Sequence, residues 1–219
     1  MEIIPAIIGK NIVEIKDKID KIKGQTKWIQ IDVMDGNFVP TRSWPYTTGD
    51  IEELALVDSI RKDDTKLEVH LMVENPEYVL EDWISFGADR IIFHYEATSN
   101  IKEIIETLED EEIECGIALK MDTDVCVLDD FLGDFDLIQL MSIDEIGSYG
   151  KEFQESVIEK IIQLKETHPG IRISVDGGVS LENAQELIDV GAENLVVGSA
   201  IFNSEDIPKT ILKFKKIIS

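Results

Sequence analysis

Cysteine is nearly missing from this chain of 219 residues; there are two, Cys115 and Cys126. A disulfide framework needs more, so a reducing compartment and a cytoplasmic protein are expected. No apolar run approaches the length of a membrane span. Met1 leads straight into Glu2-Ile3-Ile4-Pro5 without a basic leader, so neither a transmembrane segment nor a signal peptide is expected. Basic residues are also few: 21 Lys and Arg against 45 Asp and Glu, a formal net charge of −24. Such a field repels nucleic acid and anionic membranes, and neither is an expected partner. It also requires that a phosphorylated ligand be gripped by local backbone donors. No Pro/Ser-rich linker or low-complexity tract divides the chain, so one domain over 1–219 is expected. No Gly-x-Gly-x-x-Gly turn follows the first apolar stretch, which counts against an open dinucleotide-binding sheet.

What the chain does have is repetition. Eight short stretches rich in Ile, Val and Leu fall at 2–8, 27–33, 66–73, 90–96, 114–120, 137–142, 172–176 and 194–198. They read as parallel strands buried on both faces. Between them lie segments with helical spacing: Ile12-Val13-Ile15-Ile19-Ile22, Val157-Ile158-Ile161-Ile162-Leu164 and Leu181-Ala184-Leu187-Ile188-Val190. Eight alternating units predict an α/β protein of the (β/α)8 TIM-barrel type, and the length suits one such barrel. Gly87 and Gly191 each end a helix ahead of a strand, and Ser180 with Asn183 opens the seventh helix, Ser180 as its N-cap. Cys115 is expected in a strand and Cys126 at a helix start. The connections 37–50 and 143–151 are long, and in such a barrel long loops after strands carry lids and substrate contacts.

Three strand ends carry chemistry. Asp32 and Asp176 end the second and seventh strands, on different sides of the barrel. One carboxylate on each face of a small flat substrate suits removal of a proton from one face and its return on the other. If both approach one metal ion, that ion keeps both ionised and stabilises an enediolate. His70, at the tip of the third strand, is the expected imidazole ligand beside them. His94 is a weaker candidate for the pocket wall, and His168, before Pro169-Gly170, reads as structural. Gly177-Gly178 and Gly198-Ser199 follow the last two strands, the usual phosphate site of this architecture.

At these residues the chain resembles the ribulose-phosphate 3-epimerase family, from Pro5 to Phe202. The resemblance rests on Asp-Val-Met-Asp-Gly-Asn-Phe-Val-Pro at 32–40 and Val-His-Leu-Met-Val-Glu-Asn-Pro at 69–76. His94-Tyr95-Glu96-Ala97, Val175-Asp176-Gly177-Gly178-Val179 and Gly198-Ser199-Ala200-Ile201-Phe202 add to it. It implies epimerisation at carbon 3 of a ketopentose phosphate, D-ribulose 5-phosphate to D-xylulose 5-phosphate. A divalent metal, zinc, iron(II), manganese or magnesium, would stabilise a cis-enediolate. Asp32 and Asp176 would be the acid/base pair and metal ligands, with His70 a further ligand. Met34, Met72 and Met141 would pack round the reacting carbons, and Gly177, Gly178, Gly198 and Ser199 would hold the phosphate.

The chain departs from the family at three places. Gln30 stands where the family has a metal-binding histidine. An amide oxygen is a poorer zinc ligand than imidazole and suits harder cations, so Gln30 is a doubtful ligand. Weak metal binding, another metal or none all stay open. Without metal, neighbouring carboxylates tend to share a proton. Ala6 replaces a serine that contacts substrate, and Asp144-Glu145-Ile146-Gly147-Ser148-Tyr149-Gly150-Lys151 replaces a lid free of acids. Lys120 stands where the family has asparagine and offers a compensating cation. Two other functions therefore remain open, an epimerase or isomerase of another phosphosugar such as a ketohexose 6-phosphate, and a non-catalytic sugar-phosphate binder. Apolar outer helices are compatible with a homo-oligomer.

Overall fold

Both faces of a strand in a closed parallel barrel are covered, one by the barrel interior and one by outer helices, and the residue alternation follows that division. The structure is a computed structural model that describes residues 1–49, 53, 64–131 and 133–218. Its strands are β1 (Glu2–Ile7), β2 (Trp28–Met34), β3 (Lys66–Met72), β4 (Arg90–His94), β5 (Glu114–Leu119), β6 (Leu137–Met141), β7 (Ile173–Asp176) and β8 (Asn194–Val197). They pair in chain order, and β1 closes on β8 from Glu2↔Asn194 to Pro5↔Val197. The chain is therefore a closed eight-stranded parallel barrel ringed by helices, and the open-sheet alternative is excluded.

The helices are α1 (Ile12–Ile22), α2 (Leu80–Ser85), α3 (Ile101–Asp110), α4 (Val157–Thr167), α5 (Ala184–Asp189), α6 (Ser199–Phe202) and α7 (Ile207–Ile217). In α1, Ile12, Ile15, Ile19 and Ile22 are buried while Val13, expected on the same face, is exposed. The reason is angular: 100° per residue carries position 13 off the stripe set by 12, 15, 19 and 22. Asp50 of the first long connection, and the helix expected between β2 and β3, fall on 50–52 and 54–63, outside the described residues. Gly87 and Gly191 do end helices, at φ 75° and 115°, with Ala88 N–H donating to Trp83 O and Ala192 N–H to Leu187 O.

Two local expectations are corrected. The helix after β7 starts at Ala184 and not at Ser180, and its cap position is Asn183. Ser180 Oγ accepts from Glu182 N–H in a local turn, and Asn183 is spent holding Ser180 N–H and Gly178 O. Cys126 lies inside a 3₁₀ turn, Val125–Leu128, capped by Asp124. Cys115 is in β5 as expected. Among the described residues, no helix is long and apolar enough to cross a membrane.

The barrel interior is unusually polar. Ile29, Ile31 and Val33 of β2 pack outward into the main core, so Trp28, Gln30, Asp32 and Met34 face the axis. At the end where the strands begin, the Arg90 guanidinium lies 3.9 Å over the Trp28 ring. It donates to Glu68 Oε2 at 2.5 Å and through Nε to Glu114 Oε2 at 2.9 Å. Arg90 and Glu68 are fully buried. At the other end stand Asp32, His70, His94 and Asp176.

Candidate active site

Parallel register places the chemistry at one height: Asp32 is level with His70, and Met141 with Asp176. His70 Nδ1 lies 3.4 Å from Asp32 Oδ1 and 3.4 Å from Asp176 Oδ2. Beneath them sit two buried glutamines. Gln30 Nε2 donates to Asp32 Oδ1 at 2.7 Å and to Asp176 Oδ2 at 2.9 Å. Gln139 Nε2 donates to Asp176 Oδ2 at 3.1 Å and lies 3.2 Å from His70 Nδ1. The two carboxylates thus meet at a shared donor, which offsets the repulsion that would otherwise make them share a proton.

The electrostatics follow from burial and charge. Burial, aided by the charge of Asp176, pushes the Asp32 carboxyl above its ordinary range, with hydrogen bonds from His70 and Gln30 opposing. Burial disfavours charge on His70, but hydrogen bonds to Asp176 and Asp32 outweigh it and raise the imidazole to about 9. Behind it, His94 is lowered to about 4, chiefly by burial. Burial works against charge on Glu96 too, yet His94 and Thr123 hold it down at about 2.

Whether a divalent cation fits turns on the donor set. One ligand atom from each of Asp32, His70 and Asp176 lies within 4.8 Å of the others. Gln30 and Gln139 turn their amide nitrogens to this cluster, and among the described residues both Oε1 atoms are buried without a hydrogen-bond partner. Rotating either amide would exchange the two atoms and bring an oxygen to the cluster. Two carboxylates, one imidazole and amide oxygens on call fit a divalent cation.

Asp32 and Asp176 line a cavity of about 40 Å³, together with Met72, Met141, Gly177, Gly178, Gly198 and Ser199. Met34, Met72 and Met141 form one apolar cluster with Val39, Ile143 and Ile146. His70 stands behind the carboxylates, and His94, two residues nearer the strand ends, packs against His70 and Phe38 and does not line this cavity. Gly177 and Gly178 have φ of 118° and 63°, and a Cβ on Gly178 would come within 2.9 Å of the Phe153 backbone. Glycine is therefore required by conformation and by close approach. Lys120 lies 3.9 Å over the Phe38 ring at the outer mouth, and Glu145 of the lid is paired with Lys151. His168 is a helix-end residue, its N–H donating to Leu164 O.

One contributor had no sequence signal. The Tyr149 hydroxyl, carried on the loop after β6, donates to Ala6 O at 2.6 Å and accepts from Ile8 N–H at 2.9 Å. Its ring covers Gly198, where a Cβ would lie 2.5 Å from Cε1. A hydroxyl thus reaches β1 beside Ala6, and the loop so latched covers the cavity. Tyr149→Phe is expected to speed hydrogen exchange at the Ile8 amide by about 5- to 30-fold, the equivalent of about 1–2 kcal/mol for two lost hydrogen bonds. Exchange at the wild-type rate would mean that the hydroxyl does not latch the loop.

Comparison with known proteins bears on this site. Residues 2–202 match the model of the ribulose-phosphate 3 epimerase family. The ribulose-phosphate 3-epimerase of Bacillus subtilis (strain 168) is 32% identical over 222 residues, covering 98% of each chain. That of Schizosaccharomyces pombe is 31% identical over 205 residues, covering 93% of this chain and 88% of the relative. Among solved structures, 3-hexulose-6-phosphate synthase from Salmonella typhimurium superposes with a TM-score of 0.77 at 15% identity, covering 100% of this chain and 98% of that one. KGPDC from Streptococcus mutans in complex with D-R5P gives 0.77 at 17%, covering 99% and 96%. At such identities these two structures speak to the fold alone.

Proposed function

The chain belongs to the ribulose-phosphate 3-epimerase family, and from that premise we propose that it interconverts D-ribulose 5-phosphate and D-xylulose 5-phosphate. The observation that carries the reading is the pair Asp32 and Asp176, both on the cavity wall and tied by the Gln30 amide. A binder needs only a grip on phosphate, whereas paired acids at the floor of the pocket suit proton transfer.

In this reading one aspartate takes the proton from carbon 3, alpha to the ketone, and the other delivers a proton to the opposite face. The raised Asp32 carboxyl is better matched to that exchange than an ordinary one. Met72 and Met141 give the carbon skeleton an apolar wall, and Gly177, Gly178, Gly198 and Ser199 let backbone approach the phosphate. Gln30 and Gln139 hold the carboxylates while charge moves. Asp32, His70 and Asp176 would hold a divalent cation, which when bound supplies Lewis-acid polarisation of the substrate oxygens.

The test is turnover of D-ribulose 5-phosphate after chelation, alone and with zinc, iron(II), manganese or magnesium restored. Turnover lost on chelation and restored by one of these ions is the expected result. Turnover unaffected by chelation would leave the reaction standing and remove the cation from it. Absence of turnover under every condition would overturn the assignment and bring forward a ketohexose 6-phosphate substrate or a non-catalytic binder.

A further inference from the structure

His70 has two ring nitrogens, and the imidazolium that Asp32 and Asp176 favour holds a proton on each; what its neighbours decide is which proton stays when one leaves. Nδ1 faces the carboxylates. Nε2 faces His94 Nε2 at 2.9 Å, and the two rings stack with centroids 5.0 Å apart. Two imidazole nitrogens at that distance need one donor and one acceptor. The choice is made one residue further out. His94 Nδ1 lies 3.3 Å from Glu96 Oε2, and a carboxylate only accepts, so Nδ1 of His94 carries its proton and Nε2 is left as an acceptor. His70 must then donate through Nε2.

Glu96 is itself pinned. Its other oxygen accepts from the Lys120 N–H at 2.8 Å and from the Thr123 hydroxyl. The turn carrying those two donors is tied down by Lys160 of α4, which donates to Lys120 O and Thr123 O. We propose that His94 and Glu96 are positioning residues that keep the proton on His70 Nε2, so that Nδ1, the nitrogen facing Asp32 and Asp176, is the one that gives up its proton to meet a cation or take part in the reaction. The role in turnover rests on the proposed epimerase reading; the proton arrangement does not. It follows from Glu96, His94 and His70 alone.

Glu96→Gln is a sharp test because its geometry dictates the outcome. The Lys120 N–H, which can only donate, demands the amide oxygen on its side, which leaves the NH2 group facing His94 Nδ1. His94 must then place its proton on Nε2, and His70, once neutral, must accept there and keep its own proton on Nδ1. Long-range proton–nitrogen NMR of metal-free, full-length protein at about pH 10, where His70 has lost its charge, reads this directly: His94 protonated at Nδ1 in the wild type and at Nε2 in E96Q. With D-ribulose 5-phosphate, kcat should fall about 10- to 100-fold, as expected when the partner orienting an active-site imidazole is lost, with little change in KM.

A second pair of variants guards against simple misfolding. In His94→Gln the amide can donate to Glu96 and accept from His70, so kcat should stay within a few-fold of wild type. His94→Leu can do neither and should match E96Q. An unchanged His94 tautomer in E96Q, a switched tautomer with wild-type kcat, or equal activity in H94Q and H94L would each overturn the proposal. A wild type inactive on every phosphosugar would instead strike the epimerase reading, and the tautomer comparison would still decide the proton arrangement.

Discussion

Asp176→Asn is expected to lower kcat for pentulose phosphate epimerisation by about 10²- to 10⁴-fold, the usual worth of a positioned acid or base, while leaving the melting temperature close to wild type. Asparagine keeps the shape of the side chain and can still accept from Gln30 and Gln139, which hold Asp176 Oδ2 at 2.9 and 3.1 Å. What it cannot do is take up and return a proton. It also removes one of the two charges that raise His70, so the imidazole should fall back toward its ordinary value. The two-acid reading makes a finer claim. With Asp32 intact, one epimer should still exchange its carbon 3 hydrogen with deuterium from solvent although neither epimer is converted. Asp32→Asn should show the same for the other epimer. Loss of exchange in both epimers with either variant would point to a single acid working both faces, and retained turnover in D176N would remove Asp176 from the reaction.

That such a site could be read in the sequence at all comes from closure of the barrel. Asp32, His70 and Asp176 are far apart along the chain, but each sits at the C-terminal end of a parallel strand, and the closed register brings such ends to one rim. Gly177-Gly178 was read as a phosphate site only together with Gly198-Ser199 on the next strand; what the structure shows of Gly178 is a positive φ and the Phe153 backbone close against it. What escaped was everything that depends on side-chain orientation. Gln139 is one polar residue in an apolar strand, and the alternation that turns it inward does not say which way its amide points. His94 looked like pocket wall because its strand position resembles that of His70, yet it is spent on His70 and Glu96. Tyr149 lies in an irregular loop, where no periodicity tells which strand a hydroxyl will reach. The cap after β7 was misplaced because Ser180 and Asn183 are both good cap residues, and the contact of Asn183 with Gly178 O settles the choice only in three dimensions. The buried ion pair at the opposite rim was missed because inward-facing charges reveal their partners only once the register is known.

That pair gives the largest expected effect on stability. Arg90→Met should destabilise the protein by about 3–5 kcal/mol, because it leaves Glu68 fully buried with its charge uncompensated. Glu68 is already held above the ordinary carboxylate range, chiefly by burial, with Arg90 pulling it back. Without Arg90 the carboxyl should rise further and fold as the neutral acid. The sign follows from linkage. A carboxyl whose folded pKa exceeds its unfolded one favours folding at low pH and loses that advantage as pH rises. The deficit of R90M should therefore be greatest at neutral and alkaline pH and should shrink on acidification toward about pH 5, where the unfolded carboxyl begins to take up its proton. Removing both charges should recover most of the loss, since well-packed neutral groups often replace a buried ion pair at little cost. Denaturant melts of R90M and of R90M/E68Q at two pH values make the comparison. Equal stability of the single and double variants, or a deficit independent of pH, would mean that Arg90 acts through its stacking on Trp28 and its bonds to Glu114 and not through Glu68.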